Sequence, residues 1–125
     1  MNLQNYEVRS QFKVLIVDDE VEICSLLSGI LRKRGFKVTY VNTISDARSI
    51  LISFSPSIVF LDNHLPDGLG IEFANYLKTL CPDTLIIIIT GKETNLEYAK
   101  INGAAEIIFK PFTSERIFSV IEKHT

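Results

Sequence analysis

The chain has 125 residues, 46% of them apolar and 22% charged, with a formal charge of −2. That length suits one domain with a sizeable core, and the composition excludes general disorder. The small net charge gives no overall pull towards nucleic acid or an anionic membrane, and no run reaches the ~18–20 apolar residues that span a bilayer.

Residues 1–11 are polar and aperiodic, and are read as a flexible leader before one domain over residues 12–125. The start lacks the basic and then apolar regions of a signal peptide, so a cytoplasmic location is expected. Phe12 to Val17 is a near-continuous apolar run, the mark of a strand buried on both faces. From Glu20 the period changes: Ile23, Leu26, Leu27, Ile30 and Leu31 follow the spacing of an amphipathic helix. Asp19 is placed to cap its start and Gly35 to stop it. Phe36 to Val41 reads as a second strand. Thr43 then caps a helix with Asp46 in its first turn and a buried stripe of Ala47, Ile50 and Leu51.

Ser57 to Leu61 is the third strand. After a Pro/Gly-rich turn, Ile71, Ala74, Leu77 and Leu80 mark the third helix. Leu85 to Ile89 is a fourth strand, mostly β-branched. The stretch from Lys92 to Asn102 encodes its helix most weakly, with only Leu96, Tyr98, Ala99 and Ile101 to bury. Gly103 ends it, Ala105 to Phe109 is the fifth strand, and Thr113 caps a last helix carrying Ile117, Val120 and Ile121. Five β-then-α units with short connections predict an all-parallel sheet between two helical layers. Cys24 and Cys81 have no metal or redox spacing and read as reduced thiols. His124 reads as a frayed terminus.

The polar residues that close the strands carry the chemistry. The first strand runs into Asp18, Asp19 and Glu20, the third into Asp62, the fourth into Thr90 and Gly91, and the fifth into Lys110 and Pro111. In an open parallel sheet ligands bind at the carboxyl edge, where strand order reverses. Taken singly, each group has an ordinary structural role: an Asp pair or a Thr caps a helix, and Lys-Pro makes a surface turn. Their recurrence at successive strand ends points instead to a phosphate and metal site. Asp18, Asp19 and Asp62 would repel one another unless a cation joins them, and magnesium suits all-oxygen ligands that share phosphate. Lys110 supplies a fixed positive charge able to pair with Asp62 at rest. Thr90 offers a hydroxyl, and Gly91 leaves the neighbouring N–H unobstructed.

From Phe12 to the end, the chain resembles a receiver domain of a two-component response regulator. The motifs that carry the likeness are Val17-Asp18-Asp19-Glu20, Asp62-Asn63-His64-Leu65-Pro66-Asp67-Gly68, Thr90-Gly91 and Lys110-Pro111-Phe112. The resemblance implies a flavodoxin-like three-layer α/β/α sandwich, with a five-stranded parallel sheet in the order 2-1-3-4-5. It implies Asp62 as the phosphoacceptor, and magnesium (or manganese) held by Asp18, Asp19, Asp62 and the backbone carbonyl of His64. Asp19 would bind the ion directly and Asp18 through water. A cis Lys110–Pro111 bond is also implied. A sensor histidine kinase, a phosphotransfer protein or a small acyl phosphate would donate, while Lys110, Thr90 and the Asn63 and Gly91 N–H groups share the charge. Such a domain is no enzyme towards other substrates; it promotes phosphoryl transfer to, and hydrolysis from, its own aspartate.

One position departs from the pattern. Receivers carry Tyr or Phe three residues before the lysine, and here that position is Ile107, which also reads as ordinary strand packing. His64 and Lys92 each lie two positions past a site residue, where they would rim the pocket and modulate it, or merely be solvated. The output is expected through a protein contact on the fourth helix, fifth strand and fifth helix, with Tyr98 or Phe118 partly exposed there. Homodimerisation on phosphorylation fits, direct contact with nucleic acid or membrane does not, and the compact turn from Asn63 to Gly70 resembles those of transcriptional activators. A stand-alone receiver and the front of a longer regulator both remain open. The alternatives are a pseudo-receiver that only binds partners and a flavin or nucleotide carrier. The carrier would need a phosphate loop where this chain has Asp18-Asp19-Glu20.

Overall fold

The structure, a computed structural model, describes Arg9 and residues 11–125. Most of the leader assigned to residues 1–11 therefore lies outside the described residues. The strands are β1 (Lys13–Val17), β2 (Lys37–Val41), β3 (Ile58–Asp62), β4 (Leu85–Thr90) and β5 (Glu106–Phe109). The helices are α1 (Val21–Lys33), α2 (Ile44–Ile50), α3 (Gly70–Leu80), α4 (Leu96–Ile101) and α5 (Ser114–His124). The strands pair in parallel in the order β2-β1-β3-β4-β5, as expected of a flavodoxin-like fold. A two-residue hairpin, His64–Leu65 against Gly68–Leu69, lies between β3 and α3.

Alternation along the strands sorts the core into two layers. Val14, Ile16, Ile58, Phe60, Ile87, Ile89 and Ile108 face α1 and α5. Leu15, Val17, Val59, Leu61, Ile86, Ile88 and Ile107 face α2, α3 and α4. Both faces of the central strands are buried, which is why they read as unbroken apolar runs. No helix among the described residues is long and apolar enough to cross a membrane.

The helix ends follow the sequence in part. Thr43 and Thr113 cap α2 and α5 through their hydroxyls. Gly35 and Gly103, with φ of 98° and 99°, occupy the left-handed conformation just past α1 and α4. Asp19 does not cap α1; the N-cap is Glu20, and its side chain makes no capping bond. The buried stripe of α1 is Cys24, Leu27, Ser28 and Leu31, and Leu26 is exposed. Both stripes obey helical spacing, and small Cys24 and Ser28 let the helix approach the sheet on that side. Phe73 joins the core of α3, whereas Leu80 is exposed. α4 has six residues, buries only Ala99, and leaves Tyr98 and Ile101 in solvent. Phe118 is buried against Phe36 and under the Arg34 guanidinium, so it is no surface contact. His124 is not frayed: it closes α5, and its Nε2 lies 3.4 Å from Glu106.

The turn after β3 doubles back so tightly that a Cβ on Gly70 would lie 2.1 Å from the Asp62 carbonyl oxygen. Backbone offers no rotamer by which to yield. Gly70→Ala is expected to lower stability by about 3 kcal/mol. Urea denaturation checks this, and a midpoint close to that of the parent chain would contradict the packing.

Candidate functional site at the carboxyl edge of the sheet

The sheet delivers its polar residues to one edge. Asp18 follows β1, Asp62 ends the adjacent β3, and Thr90 ends β4, one residue past the Ile89 that pairs with Asp62. Thr90 pairs in turn with Phe109, and Lys110 follows. The Lys110 N–H donates to the Thr90 carbonyl at 2.8 Å, tying the hydroxyl-bearing and cation-bearing segments together. The Lys110–Pro111 peptide is cis.

Lys110 is the hub. Its Nζ lies 2.9 Å from Asp18 Oδ2, 3.0 Å from Glu20 Oε1 and 3.8 Å from Asp62 Oδ1. The pairing expected with Asp62 is thus the longest of the three, and Glu20, not singled out from sequence, is a principal partner. Its position directly after the acid pair was the available signal. Carboxylate oxygens of Asp18, Asp19 and Glu20 lie within 4.8 Å of one another. Asp18 is 2% exposed and Asp62 5%, whereas Asp19 and Glu20 face solvent.

Burial sets the proton affinities. Burial, then the charge of Asp18, pushes the Asp62 carboxyl up to about 6, against opposition from Lys110 and the His64 N–H. Burial also holds Asp18 above its ordinary value, despite Lys110 and the Glu20 N–H. For Lys110, burial pulls downwards, but the bonds to Asp18 and Glu20 outweigh it and leave the ammonium raised. The edge therefore gathers the acidic side chains of Asp18, Glu20 and Asp62 around the ammonium of Lys110, with Asp19 beside Asp18 and Glu20. That surplus of negative charge, all on oxygen, fits a hard divalent cation.

The remaining residues frame this cluster. Thr90 is fully buried, and its hydroxyl accepts from the Lys92 N–H at 3.2 Å. The His64 N–H donates to Asp62 Oδ1 at 3.4 Å, while the His64 and Lys92 residues are exposed. A Cβ on Gly91 would meet nothing within 4 Å. Asn63 has a role beyond its N–H: its Oδ1 accepts from Ile71 at 3.0 Å and its carbonyl from Gly70 at 2.9 Å. The N-cap of α3 is Leu69, which makes no side-chain capping bond, and Asn63 satisfies that helix end from a distance. Asp67, also missed from sequence, accepts from the Ile44 and Ser45 N–H groups at 2.9 Å each. It clamps the turn to the start of α2 across a separation that no local pattern reveals. Ile107 is buried in the α2–α3–α4 layer and is not part of the cluster.

The Asp62 shift has a thermodynamic consequence. The folded carboxyl holds its proton more tightly than the unfolded one, so the folded state binds more protons between about pH 4 and pH 6. This contribution is present below about pH 4 and is lost as pH rises through about 6, for a total of about 3 kcal/mol. In a chelating buffer, Asp62→Asn is expected to be more stable than the parent at about pH 7, with the gap closing towards about pH 4. Urea denaturation across that range measures it; a gap independent of pH would refute the assignment.

Comparison with known proteins agrees with this geometry. The family model described as the response regulator receiver domain matches residues 14–122. The photosynthetic apparatus regulatory protein RegA of Rhodovulum sulfidophilum is 30% identical over 86% of this chain and 60% of its own length. Sporulation initiation phosphotransferase F of Bacillus subtilis is 30% identical over 90% of this chain and 92% of its own. A CheY-like receiver domain protein of Methanospirillum hungatei superposes with a TM-score of 0.84 at 26% identity, over 90% of this chain and 92% of that one. Several other curated relatives are longer, and the chain spans 47% of one and 25% of another. The arrangement of strands, the acidic edge and the family match together make this chain a member of the response regulator receiver domain family.

Proposed function

We propose that the chain accepts a phosphoryl group on Asp62 from a histidine kinase or phosphotransfer protein, and that this modification switches a protein contact. The observation that carries the reading is the convergence of Asp18, Glu20 and Asp62 on Lys110, beside the Asp19 carboxylate. Asp18, Asp19 and Asp62, with the His64 carbonyl, would hold magnesium or manganese. When bound, that cation supplies charge neutralisation for the phosphoryl oxygens.

The chain's own groups supply the rest. An Asp62 oxygen attacks phosphorus in line as the bond to the donor's imidazole nitrogen breaks. Lys110, already within reach of Asp62, follows the developing charge, and the Thr90 hydroxyl and the Asn63 and Gly91 N–H groups donate to the remaining oxygens. Such a role has a cost at rest, since the buried carboxylate is held against Asp18. Phosphorylation of Asp62 moves negative charge from the buried carboxylate onto phosphoryl oxygens, which would lie within range of the cations.

The output surface fits the same reading. Tyr98 and Ile101 on α4 and Phe109 at the end of β5 are exposed apolar groups. The fourth helix, fifth strand and fifth helix would meet an output domain, a target protein or a second copy of the chain there. With Ile107 buried in place of an aromatic ring, the change would travel through the β4–α4 segment, whose Lys92 N–H bonds the Thr90 hydroxyl.

Incubation with a small acyl phosphate and magnesium is expected to add one phosphoryl group, seen by intact mass. Asp62→Asn or a chelator should abolish it, and Lys110→Ala should slow it by an order of magnitude or more. A folded parent chain that stays unlabelled would reject this reading in favour of a partner-binding module without phosphorylation.

His64 lies at the rim with its N–H on Asp62 and its imidazole in solvent. There it would orient or obstruct attacking water. His64→Ala is expected to change phosphoryl lifetime several-fold while leaving magnesium affinity nearly constant. An unchanged lifetime discards the role.

A further inference from the structure

The acid pair rests on a peptide plane held from below. The Asp18 N–H donates to the Val41 carbonyl at 3.1 Å, continuing the β1–β2 ladder. The Asp18 carbonyl accepts two further bonds, from Asn42 Nδ2 at 2.9 Å and from Cys24 Sγ at 3.3 Å. Asn42 Nδ2 also lies 3.7 Å from that sulfur, so carbonyl, thiol and amide close a triangle. The Asp18 carboxylate is fixed by the Glu20 N–H and by Lys110. Both lone pairs of the carbonyl are therefore used, and the peptide leading into Asp19 cannot rotate without breaking bonds to two other elements.

We propose that Asn42 and Cys24 are positioning residues for the acid pair: they lock the Asp18–Asp19 peptide plane and so aim the Asp19 carboxylate into the cation site. This deepens the phosphoacceptor reading and rests on it for the identity of the site. Asn42 stands just past β2 and Cys24 in the first turns of α1, so the lock joins the three elements that meet beneath the acids. Cys24 is completely buried and unbridged. Its Sγ is the group that donates to the Asp18 carbonyl. Lys110 is expected to turn towards an incoming phosphoryl group. The carbonyl bonds then remain to hold Asp18 when its cation partner moves.

The test is a Mn2+ titration of the purified chain, read by the paramagnetic resonance of the free ion, which requires no phosphoryl transfer. Asn42→Leu, close in volume but without a donor, is expected to raise the Mn2+ dissociation constant roughly tenfold, the scale found for groups that orient metal ligands. Cys24→Ala should weaken binding in the same direction, and Cys24→Ser, which keeps a donor, should recover most of the loss. Urea midpoints with and without Mn2+ separate positioning from folding. A purely structural role lowers both equally, whereas positioning also shrinks the stabilisation that the ion confers. If Asn42→Leu does not fold, the Cys24→Ala and Cys24→Ser pair decides alone. Equal affinity in parent and variants overturns this inference but leaves the site intact; a parent chain that binds no Mn2+ overturns both.

Discussion

One half-buried ammonium group, set among carboxylates, is the constraint around which the edge is organised. Lys110 reaches Asp18, Glu20 and Asp62, and each of these acids comes with a different neighbour and burial. Buried carboxylates without a cation would be protonated or pushed apart, because desolvation penalises the charged form. A single lysine cannot balance them. Burial, reinforced by the charge of Asp18, holds Asp62 at about 6, and the imbalance leaves the cluster receptive to further positive charge. A site balanced at rest would have less to gain from a cation. The incomplete compensation thus favours an added cation at this edge, and the two-layered core supplies the stability that offsets it.

The turn between β3 and α3 shows how the rest of the chain holds that imbalance in place. Gly70 passes so near the Asp62 carbonyl that only a hydrogen fits at its α-carbon. Asn63 ties the start of α3 to the segment just after Asp62, and Asp67 ties the tip of the turn to the start of α2. Two helix N-termini are therefore fastened to the turn that follows Asp62. Exposed backbone N–H groups at those termini need acceptors, and the loop provides them. A change in the Asp62 peptide would be felt at α2 and α3 through hydrogen bonds, without any side chain crossing the core.

The sequence made the strand termini readable because buried parallel strands are written as apolar runs, and the first polar residue after each run marks the edge. Asp18, Asp62, Thr90 and Lys110 were legible for that reason, and their convergence followed from topology. Helix faces were less so. On α1, both Leu26 and Cys24 sit at permitted spacings, and only the close approach to the sheet selects the smaller residue. Contacts across long separations left no trace: nothing local ties Asp67 to Ile44, or Asn42 to the carbonyl of Asp18. Glu20 was visible as a third acid, but its side chain had no assigned partner until Lys110 was placed. Likewise the sequence leaves Phe118 open between a partly exposed contact and simple packing, and the ring of Phe36 and the guanidinium of Arg34 explain its burial.

The restraints on this edge are weakest where β4 leads into α4. α4 is short, buries little beyond Ala99, and is joined to the site by the Thr90–Gly91–Lys92 segment. An element with few buried contacts costs little to displace, so its position is decided by small free energies. The hydrogen bond from Lys92 to the Thr90 hydroxyl is of that size, about 1 kcal/mol. Recruiting the Thr90 hydroxyl to another oxygen alters that bond and with it the restraint on the segment leading into α4. Ile107, packed firmly in the core, has no corresponding freedom. The segment after β4 and the helix it leads into are therefore the least restrained part of this edge, while the strand beneath is fixed by its packing.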